Sequence, residues 1–71
     1  MNRWDVIRRI QKQARRDDKT WSLVKHGRRH DLYDLDGVMI PIPRHTEISE
    51  QMAQIIWKEC ESGLGKGWWR R

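Results

Sequence analysis

Little in this chain can be cross-linked, chelated or threaded through a membrane. It has one cysteine, Cys60, so no internal disulfide can form and no multi-cysteine zinc site can be built. A single thiol suits a reducing cytoplasm. The three histidines, His26, His30 and His45, stand at no recognisable metal-ligand spacing, so neither a metal nor another cofactor is expected. No apolar run approaches the ~18 residues of a membrane helix, and Met1-Asn2-Arg3-Trp4-Asp5 carries no apolar signal region. A cytoplasmic protein without a membrane partner is expected. There is no internal repeat. At 71 residues the chain is one small domain, able to bury only about 60% of its unfolded surface.

What the chain does have is positive charge. Lys and Arg number 15 against 10 Asp and Glu, a formal net charge of +5. That balance favours a polyanionic partner, nucleic acid before membrane.

Residues 2–15 read as a helix. Asn2 is its cap, Asp5 stands in the capping-box position, and Val6, Ile7, Ile10 and Ala14 form one apolar stripe. Arg8, Arg9, Lys12, Arg15 and Arg16 occupy the rest, as a solvated face or an RNA contact. After the polar break Asp17-Asp18-Lys19, residues 20–26 read as a strand, with Trp21 and Leu23 on one side and Ser22 and Val24 on the other. Gly27 is expected to turn the chain with positive φ. Residues 29–35 form the next strand, with His30, Leu32 and Asp34 on one face and Asp31, Tyr33 and Leu35 on the other. Asp36-Gly37 is a two-residue hairpin signal.

The apolar run Val38-Met39-Ile40-Pro41-Ile42-Pro43 reads as the central strand of a small sheet. Its two prolines cannot donate to a ladder, so the strand should end or meet an open edge there. Residues 47–62 return to helix, with Thr46 as cap, Gly63 as stop, and Ile48, Met52, Ile55, Ile56 and Cys60 as the buried stripe. Residues 65–71 read as a flexible basic tail whose Trp68 and Trp69 stack on bases or pack on a partner or on the domain itself. Trp4, Trp21 and Trp57 are assigned to the core or its edge. The expected class is α+β in the order α-β-β-β-α, a three-stranded antiparallel sheet with both helices on one face.

The chemistry concentrates at Gly27-Arg28-Arg29-His30. Histidine gives and takes protons near neutrality, and the planar donors of Arg28 and Arg29 suit phosphate. By itself this leaves two readings of His30 open: a general base for the 2′-hydroxyl of RNA, or a strand histidine that only hydrogen-bonds. His26, beside the turn, is a second acid, a phosphate contact or an exposed strand end. Arg44 and His45 precede the last helix, where phosphate can dock on free N–H groups.

Three features together resemble the HicA toxins. They are the α-β-β-β-α order, Gly27-x-x-His30 entering the second strand, and the run from Val38 to Pro43 followed by Arg44-His45, with an amphipathic helix closing on Ser62-Gly63-Leu64. HicA toxins are small bacterial ribonucleases of toxin–antitoxin systems, with a fold like that of double-stranded-RNA-binding domains. The resemblance spans about residues 3–64. It implies a toxin domain over 1–64 with a tail over 65–71, and metal-independent cleavage of mRNA that arrests translation. It further implies His30 as the catalytic histidine, Gly27, Arg28, Arg29, Arg44, His45 and His26 as the RNA- or phosphate-binding set, and a HicB-type antitoxin as protein partner. Arg28 departs from the small hydroxyl residue common after the glycine in that family. The alternatives are a non-catalytic RNA-binding module of the same fold and a DNA-contacting accessory protein.

Overall fold

The computed structural model describes residues 1–70. Helix α1 spans Arg3–Arg16, followed by strands β1 (Trp21–His26), β2 (His30–Leu35) and β3 (Val38–Pro43). Helix α2 (Glu50–Glu59), the single turn α3 (Glu61–Leu64) and a short 3₁₀ segment (Trp68–Arg70) close the chain. This is the expected helix, three-stranded antiparallel sheet and helix, with one core between helices and sheet.

The first helix forms for the reasons its sequence gives. Asn2 Oδ1 accepts from the Trp4 N–H at 2.8 Å, satisfying one of the orphan donors of the first turn. Asp5 near the start and Arg15 and Arg16 at the end match the helix dipole. Val6, Ile7, Ile10 and Ala14 are buried. Asp5 spends its carboxylate on Arg8 at 3.0 Å.

β2, not β3, is the central strand: the order is β1-β2-β3. The apolar character of β3 comes from one buried face, where Ile40 and Ile42 are fully covered. Pro41 and Pro43 are tolerated because the strand is an edge. β2 reads as more polar because His30 is exposed while Asp31 is buried and paired. The β2–β3 turn is as expected, with Asp36 at φ 50° and Gly37 at φ 92°, the pair of left-handed residues a tight two-residue hairpin needs. β1 carries a register irregularity between Leu23 and Lys25, so Leu23 pairs with Tyr33 but Lys25 with Leu32. Leu23 and Val24 are exposed there.

The second half departs from its sequence reading in four places. Helix α2 begins three residues later than expected, capped by Ser49, whose Oγ accepts from the Met52 N–H at 3.1 Å. Thr46 is not the cap, because the backbone of 46–48 is bonded to the first residues: the Arg3 N–H donates to Thr46 O (2.8 Å) and the Ile48 N–H to Met1 O (2.7 Å). The buried stripe is Ala53, Ile56, Trp57, Cys60 and Leu64, leaving Met52 and Ile55 half-exposed. Both candidate stripes share Ile56 and Cys60, and burying the large Trp57 ring decides between them. Gly63 does not stop the helix. It lies in α3, where an added Cβ would come within 2.9 Å of Leu35 Cγ, and the chain leaves the helix at Gly65, φ 94°.

The largest departure is the end of the chain. Residues 65–70 are no flexible tail, and the domain does not stop at residue 64. Trp68 is 2% exposed and Trp69 9%. Trp68 packs edge-on against Trp57 (5.3 Å between rings) and Trp69 (6.0 Å). Arg71 lies outside the described residues. Trp57 is core as expected and Trp21 lies half-buried, stacked on Tyr33. Trp4, by contrast, is 61% exposed, because α1 turns its Val6 and Ile10 side inward.

Candidate nucleic-acid interface

The site is built where the β1–β2 connection meets the segment leaving β3. Gly27 is required there, but not for positive φ, which among the glycines belongs only to Gly37, Gly65 and Gly67. A Cβ at Gly27 would overlap the carbonyl oxygen of His30. The turn is therefore closed so tightly that only glycine fits.

Arg44 holds that turn. Its N–H donates to Arg29 O (3.0 Å) and its Nη1 to Gly27 O (2.9 Å). Its Nε lies 3.7 Å from Asp31 Oδ1. Of the expected phosphate-binding arginines, Arg44 is thus partly committed to structure. Arg28 and Arg29 are exposed, and no carboxylate among the described residues lies within ion-pair distance of either. They are the available cations.

Asp31 is the buried charge that organises this end of the sheet. Arg3 Nη2 donates to Oδ2 at 2.6 Å, and Arg3 Nε also holds Pro43 O at 2.8 Å. His26 Nδ1 lies 3.2 Å from Oδ1, where its Nδ1–H tautomer donates. Burial alone would raise the Asp31 carboxyl. The hydrogen bond from His26 and the charges of Arg44, His26 and Arg3 outweigh it and hold the group below its ordinary value of 3.8. A carboxyl with a depressed folded-state pKa stabilises the fold above its unfolded pKa, and that contribution disappears as pH falls through the folded value. Urea unfolding should therefore show wild type well ahead of Asp31→Asn at pH 7, with the gap narrowing as pH drops below about 4. A gap of constant size down to pH 2.5 would mean that Asp31 contributes by packing, not charge.

Beside this turn lies a groove of ≈ 820 Å³, lined in part by Arg28, Arg29, His30, Arg44 and His45. Gly27, Arg28, Arg29 and His30 also border a smaller hollow of ≈ 410 Å³ with Lys25 and Leu32. His30, exposed, borders both. His26 lines neither hollow; its ring is drawn to Asp31, so the structure separates it from the group it was placed with.

Two further titratable groups complete the picture. Partial burial pushes the Glu59 carboxyl above its ordinary 4.5, against the opposing charge of His30, which puts the two within electrostatic reach. Burial first, and the Glu59 charge second, push the Cys60 thiol up to about 12, so it stays protonated and inert as a nucleophile.

No family model, curated protein or solved structure matches this chain. No helix among the described residues is long and apolar enough to cross a membrane. Nor does any group of three His, Cys, Asp or Glu side chains among them lie together so as to hold a metal ion.

Sequence reasoning missed Asp31 and Glu59. Asp31 had a signal: strand alternation puts it on the face of Tyr33 and Leu35, and a carboxylate on a buried face needs a partner. Glu59 had none, because its electrostatic interaction with His30 joins residues far apart in the chain.

Proposed function

We propose that this chain is a HicA-like endoribonuclease that cleaves mRNA and arrests translation, held in check by a HicB-type antitoxin. The observation that carries this reading is the single groove that unites an exposed imidazole, His30, with Arg28, Arg29, Arg44 and His45. Neutral His30 takes the proton of a 2′-hydroxyl. The resulting alkoxide attacks the adjacent phosphorus, the 5′-oxygen leaves and is protonated, and a 2′,3′-cyclic phosphate remains. Arg28 and Arg29 neutralise the charge that builds on the phosphate. Positioned proton transfer supplies about 10²- to 10⁴-fold, and electrostatic stabilisation adds to it.

Purified chain in EDTA should cleave RNA to cyclic-phosphate ends and leave DNA of the same sequence intact, since DNA lacks the nucleophile. Intact RNA that nevertheless binds tightly would transfer the chain to the alternative, a non-catalytic RNA-binding module. A requirement for added Mg²⁺ or Zn²⁺ would sink the mechanism.

Binding should also weaken steeply with salt. Losing Arg28 and Arg29 together should flatten the log–log slope by roughly 1.4 units, at about 0.7 per single-strand phosphate. Arg44→Ala should change the slope less than either, because Arg44 is spent on Gly27 and Asp31. A larger slope change for Arg44 would reverse these assignments. An antitoxin that silences this site must cover His30 and bring carboxylates to Arg28 or Arg29, since complementary charge fixes docking.

A further inference from the structure

The molecule has a second concave basic surface. A cavity of ≈ 380 Å³ lies between α1 and the closing 3₁₀ segment, and it shares no lining residue with the His30 groove. Arg8, Arg9, Lys12 and Arg16 line it from α1, and Trp68 and Trp69 from the end of the chain.

Helix stability does not account for these cations. Arg8, Lys12 and Arg16 stand at i, i+4 and i+8, successive ones about 6 Å apart along the axis. Like charges at that spacing destabilise a helix. Only the last turn gains from positive charge against the dipole, which accounts for Arg16 and leaves Arg8 and Lys12. Lys12 and Arg16 are exposed, and no carboxylate among the described residues lies within ion-pair distance of either. Arg8 has Asp5 at 3.0 Å, but both side chains are more than half exposed, and such pairs are weak.

Arg9 is held by the fold and still exposed. Its Nη2 donates to Trp69 O at 2.6 Å, and its guanidinium lies over the Trp57 ring, 5.6 Å from the centroid. A guanidinium fixed from two sides has less freedom left to lose when its remaining donors meet a ligand.

The surroundings select the ligand. Guanidinium forks match phosphate oxygens, and lysine adds a point charge. Asp5 borders the cavity at one end, and Gln13, also in the lining, holds the Asp17 carboxylate at 3.1 Å past the other. A polyanion continuing along α1 meets a carboxylate in either direction, whereas a compact anion between them does not. Trp68 is buried, and the Arg70 guanidinium lies 5.3 Å from the Trp69 ring centroid. Neither indole is therefore an open platform for a base.

We propose that this cavity is a binding site for a compact oligophosphate, gripped by Arg8, Arg9, Lys12 and Arg16 and independent of the His30 groove. The group is the same whether free or carried as the tail of a nucleotide, and the site does not depend on the ribonuclease reading.

Titration calorimetry of the full chain with inorganic tripolyphosphate, in EDTA, tests it. One equivalent should bind. Lys12→Gln combined with Arg16→Gln should weaken binding about tenfold or more, the worth of a lost charge-assisted hydrogen bond. Arg28→Gln combined with Arg29→Gln removes the same charge from the other groove and should change affinity by less than about threefold, because distant surface charges are screened. Amide NMR of the wild-type chain locates the anion without any substitution: shifts should concentrate in residues 8–16 and 67–70. ATP distinguishes the sources. Affinity equal to that of tripolyphosphate makes the phosphates the whole ligand, and tighter binding that Lys12→Gln with Arg16→Gln abolishes makes it a nucleotide.

Equal losses from the two double variants, or shifts concentrated in residues 26–30 and 44–52, overturn the proposal. So does failure of both tripolyphosphate and ATP to bind. If single-stranded RNA alone loses affinity in Lys12→Gln with Arg16→Gln, the face is an RNA contact instead.

Discussion

A chain ending at Gly65 should fail to fold, and Trp68→Ala should lower the melting temperature by roughly 12–40 °C. The indole of Trp68 is among the largest fully buried side chains, and its Nε1–H donates to Trp57 O at 2.8 Å. Arg9 Nη2 reaches across from α1 to Trp69 O at 2.6 Å, so the last segment ties the first helix to the second. Truncating a buried tryptophan to alanine costs about 3–5 kcal/mol. A 71-residue domain has roughly 4–11 kcal/mol in all, at about 0.05–0.15 per residue. The substitution therefore removes a large share of the stability, and deletion removes Trp69 as well. Far-UV circular dichroism with temperature checks both. A truncated chain that keeps its helical signal and melts cooperatively near wild type would show that residues 66–70 only decorate the surface.

Much of what is local and periodic was legible in the sequence, the stripe of α2 excepted. The Asn2 cap, the Val6–Ile7–Ile10–Ala14 stripe and the Asp36-Gly37 turn depend on neighbours within a few residues, and each is where the pattern puts it. The features that were not legible all depend on distant pairing. Thr46 loses its capping role because residues 46–48 bond to residues 1–3, a contact no window of sequence contains. Strand order is equally non-local: apolar content marks β3 as buried but does not say from how many sides. Trp68 and Trp69 sit among glycines, Lys66 and Arg70, so their local composition reads as a tail, while their burial comes from Trp57 and Arg9 far back in the chain.

The candidate site divides in the same way. That His30, Arg28, Arg29, Arg44 and His45 share one groove agrees with their placement around the turn and the end of β3. Which of them are available does not follow from residue type. Arg44 and His26 carry the same chemistry as Arg29 and His30, and all four are exposed, yet only the first pair lies against the buried carboxylate of Asp31. One acidic residue on the helix-facing side of β2 thereby sorts this cluster of basic residues into those it engages and those it does not.

That sorting makes the histidine substitutions the sharpest test of mechanism. His30→Ala should lower RNA cleavage by about 10²- to 10⁴-fold, the usual contribution of a positioned proton-transfer group. Stability should stay within about 0.5 kcal/mol of wild type, because His30 is exposed and no side-chain hydrogen bond holds it. Expression of the wild-type chain in a bacterial host should stop growth, and expression of the His30→Ala chain should permit it. His26→Ala should behave in the opposite sense. It removes one partner of the buried Asp31, which keeps Arg3 at 2.6 Å, so stability falls while cleavage drops less than tenfold once the folded fraction is taken into account. Cleavage rates on a defined RNA, set beside urea unfolding of both variants, separate the two roles. Loss of activity in His26→Ala with His30→Ala fully active would move the proton-transfer role to the histidine beside Asp31 and make His30 a bystander.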